Sequence, residues 1–340
     1  MGRILVLLFG LSFLVSCNKS PQFETDYSKY LYQDSFIDLS RMMLEESDIF
    51  LSINQASIHD EVGIVLYDQK SSSFFHLDYK GNIVRSFGSQ GRGPYEYQMF
   101  TKTYLSYSGD FYLYDASSSK IIKYSSEGMA SEFYIDKRVI DMAVNKNGEI
   151  LVYHLTIDDN YVLTLYSAKG EEIISAFSPQ DQSLKIFLNR FRDGGLSYSS
   201  KEDAFFFLYP EEYKVYVLDN SLEIINTISL QSNSLFSKEL LAFPQNLNPF
   251  EMSPSHLDYW VSFHHPSGLS LIGSEYILVK NYEMFDLNNW QVYYNLYTKS
   301  GEVVFEGLIF PDSVDVIDTD GNFIYLSRES GITRLKVYQE

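Results

Sequence analysis

This chain has one cysteine, two tryptophans and nine prolines in 340 residues. A single thiol excludes an intrachain disulfide, so core burial alone must hold the fold. Cations are scarce as well: 26 Lys and Arg stand against 45 Asp and Glu, a formal charge of −19. Binding to nucleic acid is driven by Lys and Arg neutralising phosphates, so this balance excludes it. It equally excludes a broad electrostatic contact with anionic lipid headgroups. The one long apolar run, Ile4 to Val15, is too short to cross the roughly 30 Å of hydrocarbon as a helix. Catalytic signatures are missing too. There is no His-Glu-x-x-His, no second cysteine for a thiolate site and no Gly-x-Ser-x-Gly. Gly88 to Gly93 is glycine-rich, but it lacks the Lys-Ser/Thr and the helix of a phosphate loop.

What is there begins with Arg3, the apolar run and the small Ser16, the pattern of a secretory signal over residues 1–16. Leu14-Val15-Ser16-Cys17 resembles the lipobox of bacterial lipoproteins, and the resemblance implies that Cys17 is acylated once the signal is removed. Two or more acyl chains suffice for stable anchoring. Loss of Arg3 with the signal leaves 25 basic residues against 45 acidic, a net of −20. Residues 17–29 are read as a lipidated, disordered polar tether and 30–340 as one folded unit.

That unit is rich in aromatics, with 28 Tyr and 25 Phe, which points to strands. It also repeats. A turn closed by glycine between alternating strands recurs at Asp78–Gly81, Ser125–Gly128, Ser167–Gly170 and Thr298–Gly301, with Asp219–Leu222 as a variant. A second turn precedes these, at Asp60-Glu61, Ser108–Asp110, Asn147–Glu149, Lys201–Asp203, Gly273–Glu275 and Asp320–Asn322. Six units of four short strands predict an all-β, six-bladed β-propeller, of the NHL or TolB-like kind. The last unit has strands at Asn322–Arg328 and Ile332–Tyr338 and then ends, so its outermost strand is missing. The alternating segment Asp34–Ser40 is expected to supply it and close the ring. Residues 231–268, with three prolines and a helix expected over Ser234–Phe243, are read as an insertion, and a loop of that length is more often functional than accidental.

Between the first and second units lies Phe87-Gly88-Ser89-Gln90-Gly91-Arg92-Gly93-Pro94-Tyr95-Glu96-Tyr97. It resembles the Gly-x-Gly-Pro-Gly-Glu-Tyr/Phe signature of six-bladed β-propeller lipoproteins of Bacteroidota. Gly91, Gly93, Pro94, Glu96 and Tyr97 match, whereas Tyr95 stands where that signature has glycine. The resemblance implies fold and location but little chemistry. Asn18-Lys19-Ser20-Pro21 is not the acidic run of surface-exported members, so an outer-membrane lipoprotein facing the periplasm is expected.

The loop reads in two ways, as a tight crossing from rim to hub or as a rigid mount for ligand contacts. Under the second reading the channel face carries Arg92, Tyr95, Glu96, Tyr97, Arg190, Arg192, Tyr209, Trp260, His264 and Trp290. Aromatic and Arg anchors of this kind dominate recognition energy when desolvated. The expected function is a binding module, monomeric, for an envelope protein, a peptide or a glycan, with no cofactor. The alternative is a lactonase-like hydrolase or lyase holding a divalent cation such as Ca²⁺ in the channel. Its ligands would be drawn from Asp141, Asn145, Asp203, Asp315 and Asp318.

Overall fold

A computed structural model describes residues 24, 26–39, 51–59, 61–155, 159–178, 194–210, 213–231, 265–286, 289–310, 316–320, 323–328 and 331–338. The first strand, β1 (Leu31–Asp38), follows a single 3-10 turn at Tyr27–Lys29. Blade one is β2 (Leu51–His59), β3 (Gly63–Asp68), β4 (Ser73–Leu77) and β5 (Ile83–Phe87). Blade two is β6 (Phe100–Leu105), β7 (Phe111–Asp115), β8 (Lys120–Tyr124) and β9 (Ala130–Tyr134). Blade three is β10 (Val139–Val144), β11 (Ile150–His154), β12 (Leu163–Tyr166) and β13 (Glu172–Ala176). Blade four is β14 (Gly195–Ser199), β15 (Ala204–Tyr209), β16 (Lys214–Leu218) and β17 (Ile224–Ser229). Blade five is β18 (His265–Ile272), β19 (Tyr276–Asp286), β20 (Asn289–Thr298) and β21 (Val303–Leu308). Blade six adds β22 (Val316–Asp320), β23 (Phe323–Arg328) and β24 (Gly331–Val337), and β1 pairs with β24 as its outermost strand.

Each blade is a four-stranded antiparallel meander, so the expected six-bladed propeller and its N-terminal clasp are both observed. In the clasp, Leu31 lies opposite Val337 and Ile37 opposite Ile332. Consecutive antiparallel strands alternate the end at which they connect. The first-to-second and third-to-fourth turns therefore share one face, here the lower. The second-to-third turns and the blade-to-blade crossings share the upper.

Turn chemistry explains why the units repeat. At Asp78, Ser125, Ser167, Asp219 and Thr298 a side-chain oxygen accepts backbone N–H groups two or four residues on, which shapes the turn locally. The fourth position is left-handed, with φ 84° at Gly81 and φ 59° at Leu222, the one place where a bulky residue replaces the glycine.

Six hydrophobic clusters fill the six seams between neighbouring blades. Aromatic rings supply much of the filling. Phe74 packs against Tyr67, Phe87, Tyr97, Phe100 and Phe111 with ring centroids 4.9 to 5.9 Å apart. Polar bonds join the same seams, since the Arg85 guanidinium on blade one donates to the carbonyls of Gly109 and Ser125 on blade two.

The N-terminal segment is more tied down than the expected tether. Glu24 donates its N–H to Gly307 O at 3.0 Å and accepts from Ile309 N at 2.8 Å. Tyr27 packs on Phe310 and Tyr30 on Phe305, at 5.5 and 5.2 Å. Residues 24–30 thus strap blade five to blade six. The signal, Cys17 and the stretch up to residue 23 lie outside the described residues, as do residues 232–264 of the insertion and its expected helix. Residues 265–268, counted with the insertion from sequence, begin the inner strand β18. Among the described residues no helix is long and apolar enough to cross a membrane.

Candidate ligand-binding face

The glycine-rich segment is the crossing from β5 to β6, on the upper face, and it braces itself. Gly91 N donates to Tyr97 O at 2.8 Å, and Tyr97 N donates to Ser89 O at 3.1 Å. The Glu96 carboxylate folds back beneath the loop and accepts from Gly93 N at 2.6 Å. It occupies the space a β-carbon on Gly91 would need and crowds that at Gly93, so a side chain at either position would displace the Glu96 carboxylate from beneath the loop. Tyr97 is buried in the seam, and its hydroxyl donates to Ser72 O at 2.6 Å. Burial pushes that hydroxyl well above the ordinary phenol range.

Blade two holds the other side of the loop. Asp115, fully buried at the end of β7, accepts from Gln98 N and Met99 N, both at 3.0 Å, and from Ser118 Oγ at 2.6 Å. Glu132 accepts from Tyr95 N at 2.8 Å and from Lys120 Nζ at 2.7 Å. The Tyr124 hydroxyl donates to Tyr95 O at 2.7 Å. Tyr95 is held left-handed, at φ 60°, although it carries a large side chain. A left-handed backbone at this position is one that favours glycine, and here it carries a tyrosine.

The loop thereby divides its residues. Glu96 and Tyr97, expected on the binding surface, serve its internal structure. Arg92, Pro94 and Tyr95 form an exposed crest, with Tyr95 45% accessible. Tyr209, at the upper end of β15, is buried in the seam between blades three and four against Phe177 and Phe207. Arg190, Arg192, Trp260 and His264 lie outside the described residues, and Trp290 is placed only by the backbone of β20.

Within the channel, inner strands are tied across blades. Asp141 on β10 pairs with Lys102 on β6 at 3.2 Å and accepts from Leu196 N on β14 at 2.9 Å. Ser57 and Thr103 hydroxyls meet at 2.8 Å, and Gly194 N donates to Pro266 O at 2.6 Å. Both Asp141 oxygens are therefore engaged. Asn145 sits instead at a lower-face turn, where its Oδ1 accepts from Asn147 N and Glu149 N. Asp203, at the next lower turn, accepts from the Tyr198 hydroxyl. The fold does not bring these three candidate cation ligands together. Asp315 lies outside the described residues, and Asp318 is placed only by the backbone of β22.

Sequence reasoning missed the bracing residues Asp115, Glu132 and Lys120. For Asp115 a signal existed: Leu66-Tyr67-Asp68 with Ser71 and Leu113-Tyr114-Asp115 with Ser118 repeat one pattern. In both, the aspartate caps the second-to-third turn through the serine.

A family model described as a 6-bladed beta-propeller, DUF5128, matches residues 21–246. Among solved structures the chain is similar to a protein assigned as exported in Bacteroides fragilis, at 13% identity and a TM-score of 0.59, covering 91% of this chain and 96% of that one. It is also similar to a DUF4221 family member from Bacteroides vulgatus, at 10% identity and a TM-score of 0.57, covering 95% and 100%. A streptogramin B lyase aligns at 10% identity over 91% and 99% of the two chains, with a TM-score of 0.48 that carries no argument about chemistry. No curated protein matches the chain. At these identities the structural likenesses establish the fold alone.

Proposed function

This chain belongs to the DUF5128 family of 6-bladed β-propellers, and from that premise we propose that it is a binding module of the cell envelope. It is anchored in the outer membrane through Cys17, faces the periplasm, and takes a protein, peptide or glycan ligand on its upper face. The observation that carries the reading is the crest Arg92–Pro94–Tyr95. A guanidinium and an aromatic ring are held in the open by a loop braced through Glu96, Asp115 and Glu132. A rigid, exposed aromatic–arginine pair loses little conformational entropy on binding, which favours a contact site. The alternative of a lactonase-like hydrolase or lyase draws on carboxylates in the channel, and Asp141 is already committed to Lys102 and Leu196 N.

The test is binding of residues 20–340 to peptide and glycan arrays and to solubilised envelope proteins, beside an Arg92→Ala/Tyr95→Ala variant. The double variant is expected to bind about tenfold or more weakly at unchanged melting temperature. Equal binding by both proteins overturns the assignment of this crest. A saturable, EDTA-reversible rise in melting temperature with Ca²⁺ favours the alternative instead.

A further inference from the structure

We propose that in the anchored protein the outer edge of the sixth blade, β1 with the end of β24, is the surface that rests on the bilayer headgroups. This rests on the reading that Cys17 is acylated. Two observations carry it. The first is tether length. Glu24 is fixed to blade five's outer strand by two backbone hydrogen bonds. Seven residues of contour separate it from Cys17, so whatever path they take they reach at most about 25 Å. Two opposite four-stranded blades, at about 4.8 Å per strand spacing, put the far edge of the ring about 40 Å away. Blade two, directly opposite blade five, is therefore out of reach, and so is blade three, about 35 Å from Glu24, so neither is the edge that meets the membrane.

The second observation is the chemistry of the near edge. In a chain whose surface is strongly acidic, this edge exposes aromatic rings beside cations. Tyr32, Phe36 and Tyr338 are 39%, 43% and 51% accessible, and the Tyr32 and Tyr338 rings lie 5.1 Å apart. Arg334 and Lys336 share the carboxylate of Asp34, at 2.6 and 3.6 Å, and with exposed Asp38 on the same strand they leave this edge close to neutral in a strongly acidic chain. Tyrosines favour the headgroup level, where the ring is shielded and the hydroxyl stays wet. Blade three's edge offers no such pairing: β13 presents Ile173 and Ile174 beside Glu171 and Glu172. Held this way, the propeller stands with its channel axis along the membrane plane and its upper face open to periplasmic partners.

The experiment uses full-length lipidated protein in phosphatidylcholine vesicles. With Cys17 acylated, a fluorophore goes onto one introduced thiol, in Gln33→Cys at the proposed contact edge or in Ile173→Cys at the opposite edge. A headgroup spin-labelled lipid is expected to quench the probe at position 33 at least about threefold more than that at 173. Equal or reversed quenching in protein that floats with the vesicles overturns this inference and leaves anchoring intact. Protein that does not float overturns the anchoring and this inference together. Both positions are exposed, and matched melting curves confirm that each variant is folded.

Discussion

Tyr95 carries a strain that its neighbours impose. Its N–H is held by Glu132 and its carbonyl by the Tyr124 hydroxyl, so the backbone has no freedom to leave φ 60°. A left-handed conformation costs a residue with a β-carbon about 1–2 kcal/mol, offset in part by the greater chain entropy that glycine loses on folding. Tyr95→Gly is therefore expected to stabilise the protein by about 0.5–1 kcal/mol in urea unfolding while weakening ligand binding at the crest. A destabilised Tyr95→Gly variant would show that the exposed ring contributes packing instead. The identity of the motif residues was legible in the sequence; their orientation was not. Nothing local distinguishes Glu96, folded under the loop, from Arg92, pointing away from it.

At the scale of elements, the closing strand decides the ring's integrity. β1 buries Leu31 in the seam between blades five and six and Ile37 in that between blades six and one. Without it β24 becomes an exposed edge ready to pair with another chain. Deleting residues up to Asp38 is expected to produce aggregates on size-exclusion chromatography and to remove the cooperative melt. Leu31→Ala with Ile37→Ala retains the strand and is expected to cost about 4–10 kcal/mol, given about 2–5 for each large-to-small core change. This clasp was readable because the last unit runs out of chain one strand short. The strap at residues 24–30 was not, because its anchor is a strand some 280 residues later.

The whole molecule titrates as a consequence of its composition. Asp78 and Asp203 lie below the usual carboxylate range because Asn82 and Tyr198 hydrogen-bond to them. Asp34, Asp110, Asp115 and Asp159 are pushed up by burial, but hydrogen bonds from Arg334, Lys123, Ser118 and Lys137 outweigh it and leave them low as well. Depressed carboxylates stabilise the fold above the unfolded value near pH 4, and that stability is lost as pH falls through the folded values. Burial has the opposite result for tyrosines. It raises Tyr97, Tyr112, Tyr124, Tyr166, Tyr198, Tyr293 and Tyr297, and pushes Tyr213 up to about 12. Their contribution is complete below the unfolded value near pH 10 and is lost as pH rises beyond it. Burial also lowers His76, so its contribution is present above the unfolded value near pH 6.5 and is lost as pH falls below it. Melting temperature followed by circular dichroism is expected to be level between about pH 6.5 and 10, to dip modestly below that range, and to fall steeply below about pH 4 and above about pH 10. A steep fall complete by about pH 5 would mean that the histidine, not the carboxylates, sets the acid limit.

The sequence determined the blade count, the positions of both kinds of lower-face turn and the closing of the ring. Each is written in contiguous residues: an acceptor side chain at the start of a turn, a left-handed residue at its end, an alternating strand on either side. Only the tertiary structure decided that Asp115 and Glu132 carry the crest, that Lys102 takes Asp141, and that Glu24 straps blade five. These pairings join residues from different elements and, for Glu24, from opposite ends of the chain. Whether a side chain faces a seam, a partner or water is set by what the closed ring brings against it.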